Sequence, residues 1–189
     1  MPGIKENISL KSFNTFGIDI SSRYYAAFTS MENLQALLNT RIGLDDHIPK
    51  MILGGGSNIL FTKNFDGLVL KNETKGIEVI KEDKDHIYIK CGAGENWHRF
   101  VMHCVENNYA GIENLALIPG SVGASPMQNI GAYGVEIKET FHSLEAIHLG
   151  DLSKREFNWE ECHFGYRESV FKNIYKDQFA IVSIVRLTD

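Results

Sequence analysis

Three stretches of the chain hold residues whose types and spacing could do chemistry. The first is Gly54, Gly55, Gly56, Ser57 and Asn58, directly after the apolar run Met51, Ile52, Leu53. Consecutive glycines let a backbone turn through positive φ and bring main-chain N–H groups onto one anion, with the Ser57 hydroxyl and the Asn58 amide as further donors. A tight strand-to-strand turn would use the same glycines. The order is neither G-x-x-x-x-G-K-[ST] nor G-x-G-x-x-G ahead of a helix, so Walker-type and Rossmann-type phosphate sites are disfavoured. The second stretch covers 118–134 and includes Ile118, Pro119, Gly120, Ser121, Gly123, Ala124, Ser125, Gln128, Asn129, Ile130 and Gly134. Small residues at such close intervals let a planar ligand lie against backbone, with the Gln128 and Asn129 amides as hydrogen-bond partners. An ordered loop of purely architectural use is the other reading. The third stretch is Gly165, Tyr166, Arg167, Glu168 and Ser169. An arginine beside an aromatic can stack on a ring while presenting a planar fork to a carboxylate or phosphate. A surface ion pair between Arg167 and Glu168 is the plainer alternative.

No other constellation competes with these. The seven histidines pair with no second His, Cys or carboxylate at a ligand spacing, and no metal is expected. Cys91, Cys104 and Cys162 are odd in number and widely spaced, which argues for buried free thiols over a disulfide framework or a zinc site. A net charge of -5 with scattered Lys and Arg gives no footprint for nucleic acid, so a polyanionic ligand must be held locally. The first dozen residues contain no signal-peptide run and no later stretch reaches membrane-span length, so no membrane partner and a cytoplasmic location are expected.

The elements that must position these stretches follow from pattern. At 189 residues, 43% hydrophobic and 23% charged, the chain suits one sizeable core or two small ones. The aromatic run 23–28 reads as a strand, Ser30 as the cap of a helix over 31–40, and 51–53 as a buried strand that stops at the glycines. That opening is a βαβ unit ending in a Gly-rich turn. Short strands follow at 67–70 and 77–81, and 87–91 alternates as a half-buried strand should. A helix over 96–107 would bury Trp97, Val101, Cys104 and Val105. Ser125 and Pro126 start a short helix through Gln128, the serine supplying a cap oxygen. Strands at 144–149 and 155–158 flank the turn residues Gly150, Asp151 and Leu152, Asn158 caps the turn that follows, and 179–187 is the last strand. A composition change near Gly67 suggests two lobes, 1–66 and a strand-rich 67–189.

Taken in order, the motifs resemble one family. N-T-F-G at 14–17, G-G-G-S-N at 54–58, G-I-E-N-L-A-L-I-P-G-S-V-G at 111–123, P-M-Q-N-I-G-A-Y-G at 126–134 and F-G-Y-R-E-S-V-F-K at 164–172 are similar to the amino-terminal part of the UDP-N-acetylenolpyruvoylglucosamine reductase (MurB) family. The resemblance implies an α+β fold of the vanillyl-alcohol-oxidase (PCMH) type, in which two lobes clasp an extended FAD. The 54–58 loop would hold the pyrophosphate, the 118–134 stretch would wrap the rest of the cofactor, and Tyr166 would line the flavin pocket.

The family reaction is reduction, by NADPH through the flavin, of UDP-N-acetylglucosamine enolpyruvate to UDP-N-acetylmuramate, a peptidoglycan precursor. Arg167 matches the arginine that steadies negative charge on the substrate carboxylate. The family's serine proton donor and catalytic glutamate belong to a carboxy-terminal domain that this sequence does not contain. FAD binding with slow or absent turnover is therefore expected. Two alternatives stand beside that reading: a free-standing flavin module completed by a partner chain, and a related FAD-linked oxidase. An exposed strand edge would favour self-association.

Overall fold

A computed structural model describes residues 3–188 and divides the chain into two compact units, Met1–Glu73 and Thr74–Asp189. The division falls later than Gly67 because Gly67 lies inside a strand of the first unit.

That unit is built on a four-stranded sheet. β1 (Lys5–Ser9) pairs antiparallel with β2 (Ser21–Phe28), and helix α1 (Met31–Leu38) leads to β3 (Lys50–Leu53). β4 (Phe65–Asn72) lies between β2 and β3 and is parallel to both, giving the order β1-β2-β4-β3. Central position explains why Leu68, Val69 and Leu70 are all fully buried. Val69 joins Leu10, Ile20, Tyr25, Leu53 and Phe61 in one core cluster, and strand alternation turns Leu68 and Leu70 to the other face. Ser30 caps α1 as its type predicts, its Oγ accepting from the Asn33 N–H at 3.1 Å, and Leu34, Leu37 and Leu38 form the buried stripe.

The second unit carries an antiparallel five-stranded sheet. Its strands are β5 (Ile77–Glu82), β6 (Ile87–Gly92), β9 (Phe141–His148), β10 (Lys154–Asn158) and β11 (Phe179–Thr188), in the order β10-β9-β11-β6-β5. Between β6 and β9 run helix α2 (Trp97–Glu106) and a small hairpin of β7 (Gly131–Ala132) and β8 (Val135–Glu136). Asn96 caps α2 by accepting from the Arg99 N–H at 3.0 Å. The buried face of α2 is Trp97, Phe100, Val101 and Cys104, not Val105, which is 45% exposed. A 3.6-residue period accounts for this, since positions i, i+3, i+4 and i+7 align and Val105 falls one step past them.

All three cysteines are buried and free. Burial pushes the Cys162 thiol up to about 12. Glu145 on β9 ties four strands together, bonding Lys90 of β6 at 2.6 Å, Ser183 of β11 at 2.9 Å, and Lys154 of β10. Among the described residues no helix is long and apolar enough to cross a membrane, and no group of three or more His, Cys, Asp or Glu could hold a metal ion.

Candidate cofactor site

In the first unit the 54–58 loop follows β3 directly. Of its three glycines only Gly56 takes a positive φ, +67°, and a Cβ there would lie 2.0 Å from the Phe13 carbonyl oxygen. Gly56 is therefore required by packing, while Gly55 is exposed. The amides of Gly55, Gly56, Ser57 and Asn58 donate to no protein acceptor among the described residues, and neither do the Ser57 and Asn58 side chains. Four successive donors left open on a structured turn are an arrangement that can receive an anion. Lys71 on β4 adds positive charge beside it, its Nζ donating to the Gly54 carbonyl at 2.7 Å.

The turn carrying Thr15 holds that loop in place. Thr15 donates both its N–H, at 3.1 Å, and its Oγ1, at 3.3 Å, to the Gly56 carbonyl. Neither Lys71 nor this support was found as a site feature from sequence. The N-T-F-G motif marked the place without its role, and Lys71 gives no sequence signal because only the β3–β4 register brings it there.

In the second unit the 118–134 stretch is ordered throughout. The N–H groups of Ile118, Gly120 and Ser121 have no protein acceptor among the described residues, and the half-buried Gln128 amide is likewise unengaged. Its neighbours make contacts within the protein. Gly123 lies against Ala93, where a Cβ would come within 2.5 Å of the Ala93 Cβ. Ser125 does not cap the turn Pro126–Gln128; its own backbone is helical, and its Oγ donates back to the Val122 carbonyl at 2.6 Å. Asn129, fully buried at φ +44°, donates Nδ2 to the Gly165 carbonyl at 2.9 Å and accepts from the Lys138 N–H at 3.2 Å. Both ends of its amide are thus engaged within the protein, tying the 165–169 turn to this stretch. Gly134 and Tyr133, both at positive φ, close the two-residue hairpin turn between β7 and β8. Pro119 and Ala124 are exposed and Ile130 is buried.

The 165–169 segment is clamped onto that stretch. Gly165 and Glu168 exchange backbone hydrogen bonds at 3.0 and 3.3 Å, making a tight turn with Tyr166 and Arg167 at its tip. Three further bonds fasten the turn: Asn129 to the Gly165 carbonyl, Arg167 Nη2 to the Gly131 carbonyl at 2.6 Å, and Ser169 Oγ to the Met127 carbonyl at 2.8 Å. Glu168 pairs with Asn173 at 2.7 Å, so the surface pair with Arg167 is not what the turn forms. Arg167 takes φ +53°, a strained position for a residue with a side chain. Its charge helps to lower Glu136, which is held down first by Lys138 and also by Asn129. Tyr166 is 87% exposed, as are Tyr133 at 88% and Leu117 at 77%, the last also at positive φ. Exposed rings and open amides fastened on one scaffold are what a flat, polar-edged ligand requires.

A family model described as FAD binding domain matches residues 22–151. Among curated relatives, the UDP-N-acetylenolpyruvoylglucosamine reductase of Amoebophilus asiaticus is 51% identical over 181 residues, 96% of this chain and 53% of that protein. The enzyme of the same name from Flavobacterium johnsoniae is 49% identical over 182 residues, again 96% and 53%. The chain thus spans about half the length of the curated relatives it matches. The solved structure of UDP-N-acetylenolpyruvylglucosamine reductase (MurB) from Thermus caldophilus matches with a TM-score of 0.77 at 20% identity, covering 99% of this chain and 64% of that one. Substrate-bound p-cresol methylhydroxylase matches with a TM-score of 0.62 at 14% identity, covering 89% and 36%. Those two likenesses show the fold, an α+β arrangement of the vanillyl-alcohol-oxidase (PCMH) type. With that fold and a family model matched over most of its length, the chain belongs to the FAD-binding domain family.

Proposed function

We propose that the chain is the FAD-binding portion of an NADPH-dependent reductase that acts in the cytoplasm on UDP-N-acetylglucosamine enolpyruvate to give UDP-N-acetylmuramate. The observation that carries the cofactor part is the run of open amides at 55–58 beside Lys71. A diphosphate can accept from those four amides without displacing any protein hydrogen bond of theirs. In the second unit, Ile118, Gly120, Ser121 and Gln128 offer open polar groups, and Tyr166 an exposed ring, to a flat cofactor. FAD, when bound, supplies the capacity to pass a hydride from the nicotinamide donor to the substrate.

Arg167 does the work assigned to this chain at the reacting end. One edge of its guanidinium is fixed on the Gly131 carbonyl, and its other N–H groups make no protein hydrogen bond among the described residues. A fork held in advance on one side can receive a carboxylate on the other, where it steadies negative charge as the reaction develops. The share of the relatives' length that this chain spans supports a second element of the proposal, completion of the site by a further segment or a partner chain.

Two substitutions separate the roles. Gly55→Val should abolish FAD retention in a folded chain, because a branched side chain stands where backbone must approach the pyrophosphate. Arg167→Ala should leave FAD bound and, in an enzyme completed by a further segment or partner chain, lower kcat/KM by about 100-fold or more. Equal retention of FAD by both variants would remove the assignment.

A further inference from the structure

The fold gives no structural reason for Phe16. Two phenylalanines sit in the same short segment. The ring of Phe13 lies 5.1 Å from that of Tyr25 and packs against the first-unit core, whereas Phe16 is 68% exposed. A single exposed aromatic is ordinary by itself. This one stands on a turn whose other three residues, Asn14, Thr15 and Gly17, are each hydrogen-bonded. Asn14, 7% exposed, donates Nδ2 to the Leu10 and Ile18 carbonyls at 2.8 and 3.0 Å and accepts from the Ile18 N–H at 3.0 Å. Gly17, at φ +63°, donates its N–H to the Asn14 carbonyl at 3.1 Å. Between them Thr15 is bonded twice to Gly56, in the middle of the open amides. Phe16 is therefore presented, on a rigid support, next along the chain from a residue bonded to the anion-binding loop. Leu60, just beyond that loop, is also 65% exposed.

Inorganic phosphate would need only the amides and Lys71. A solvent-facing ring on a fastened turn adds most attraction for a ligand that carries a π face of its own. We propose that the 14–17 turn is the second wall of the 54–58 site and that Phe16 stacks on the planar ring carried by the bound diphosphate. Phe16 would thus be the residue by which the site distinguishes a nucleotide from a simple anion. This rests on the reading of 54–58 as a diphosphate site. Adenine and isoalloxazine both offer the required face, and ligand fragments tell them apart.

The test is calorimetric titration of the whole chain, wild type and Phe16→Ala, with inorganic pyrophosphate, ADP, FMN and FAD. Expected are unchanged pyrophosphate affinity and FAD binding weakened about tenfold. The loss should recur with ADP if the ring is adenine, or with FMN if it is isoalloxazine. Phe16→Leu, which keeps apolar bulk without a ring face, should lose as much, while Phe16→Tyr should bind as wild type does. Unchanged FAD affinity in Phe16→Ala, a loss that appears with neither fragment, or an equal loss with pyrophosphate would overturn the role given to Phe16. A wild-type chain that binds neither pyrophosphate nor FAD would instead overturn the diphosphate reading of the loop, and Phe16's role with it.

Discussion

Adjacent glycines of one motif carry different obligations. Gly56 answers to the fold, since its positive φ and its contact with the Phe13 carbonyl leave no room for a side chain. Gly56→Ala should cost about 2–4 kcal/mol of stability, from the left-handed backbone and the forced shift of the Phe13 backbone together, measured by denaturant unfolding. Gly55→Val should leave that stability within about 1 kcal/mol of wild type while removing FAD. The same contrast separates Gln128 from Asn129. Asn129→Ala should destabilise by about 1–3 kcal/mol, because it removes two part-buried bonds and leaves the Lys138 N–H without its acceptor, whereas Gln128→Ala should act on cofactor affinity alone. Sequence could flag each pair but not sort it. The sorting depends on partners far away in the chain, such as Phe13 for Gly56 and Gly165 for Asn129.

Elements were legible where their own residues set them. Ser30 and Asn96 announce α1 and α2 because an N-cap is a local chemical event, and Gly150 to Leu152 announces the turn between β9 and β10 for the same reason. β1 escaped notice because it is an edge strand exposed at every position except the half-buried Ile8, so no alternation marks it. Arg186 escaped as well. A charged residue near the end of an apolar strand suggests an exposed end, yet it is 2% exposed, with Nη2 on the Ala110 carbonyl at 2.7 Å. The 165–169 clamp could be seen only as a motif, since its three fastenings join it to a segment distant in sequence. Ser169→Ala should loosen that turn without unfolding the unit. Faster amide exchange at Arg167 and Glu168, with the β9–β11 ladder unchanged, would report it.

For the molecule as a whole, stability in acid and cofactor binding are separate properties. Burial alone would raise the Glu145 carboxyl, but Lys154, Lys90 and Ser183 hold it at about 2, below its ordinary 4.5. A depressed folded value means that this network stabilises fully above the ordinary pKa and loses its effect as pH falls through 4.5 toward 2. Glu145→Gln should therefore lower stability at neutral pH and flatten the acid limb of the stability curve, as read by thermal unfolding from pH 7 to about 2. The 54–58 loop contains no titrating side chain, so the acid behaviour of the sheet is not set there. The most direct measurement is titration of the purified chain with FAD, following flavin fluorescence and absorbance. Saturable binding of one FAD per chain, abolished by Gly55→Val in a folded protein, is the expected result. A folded wild-type chain that leaves the flavin signal unchanged at every FAD concentration would contradict it.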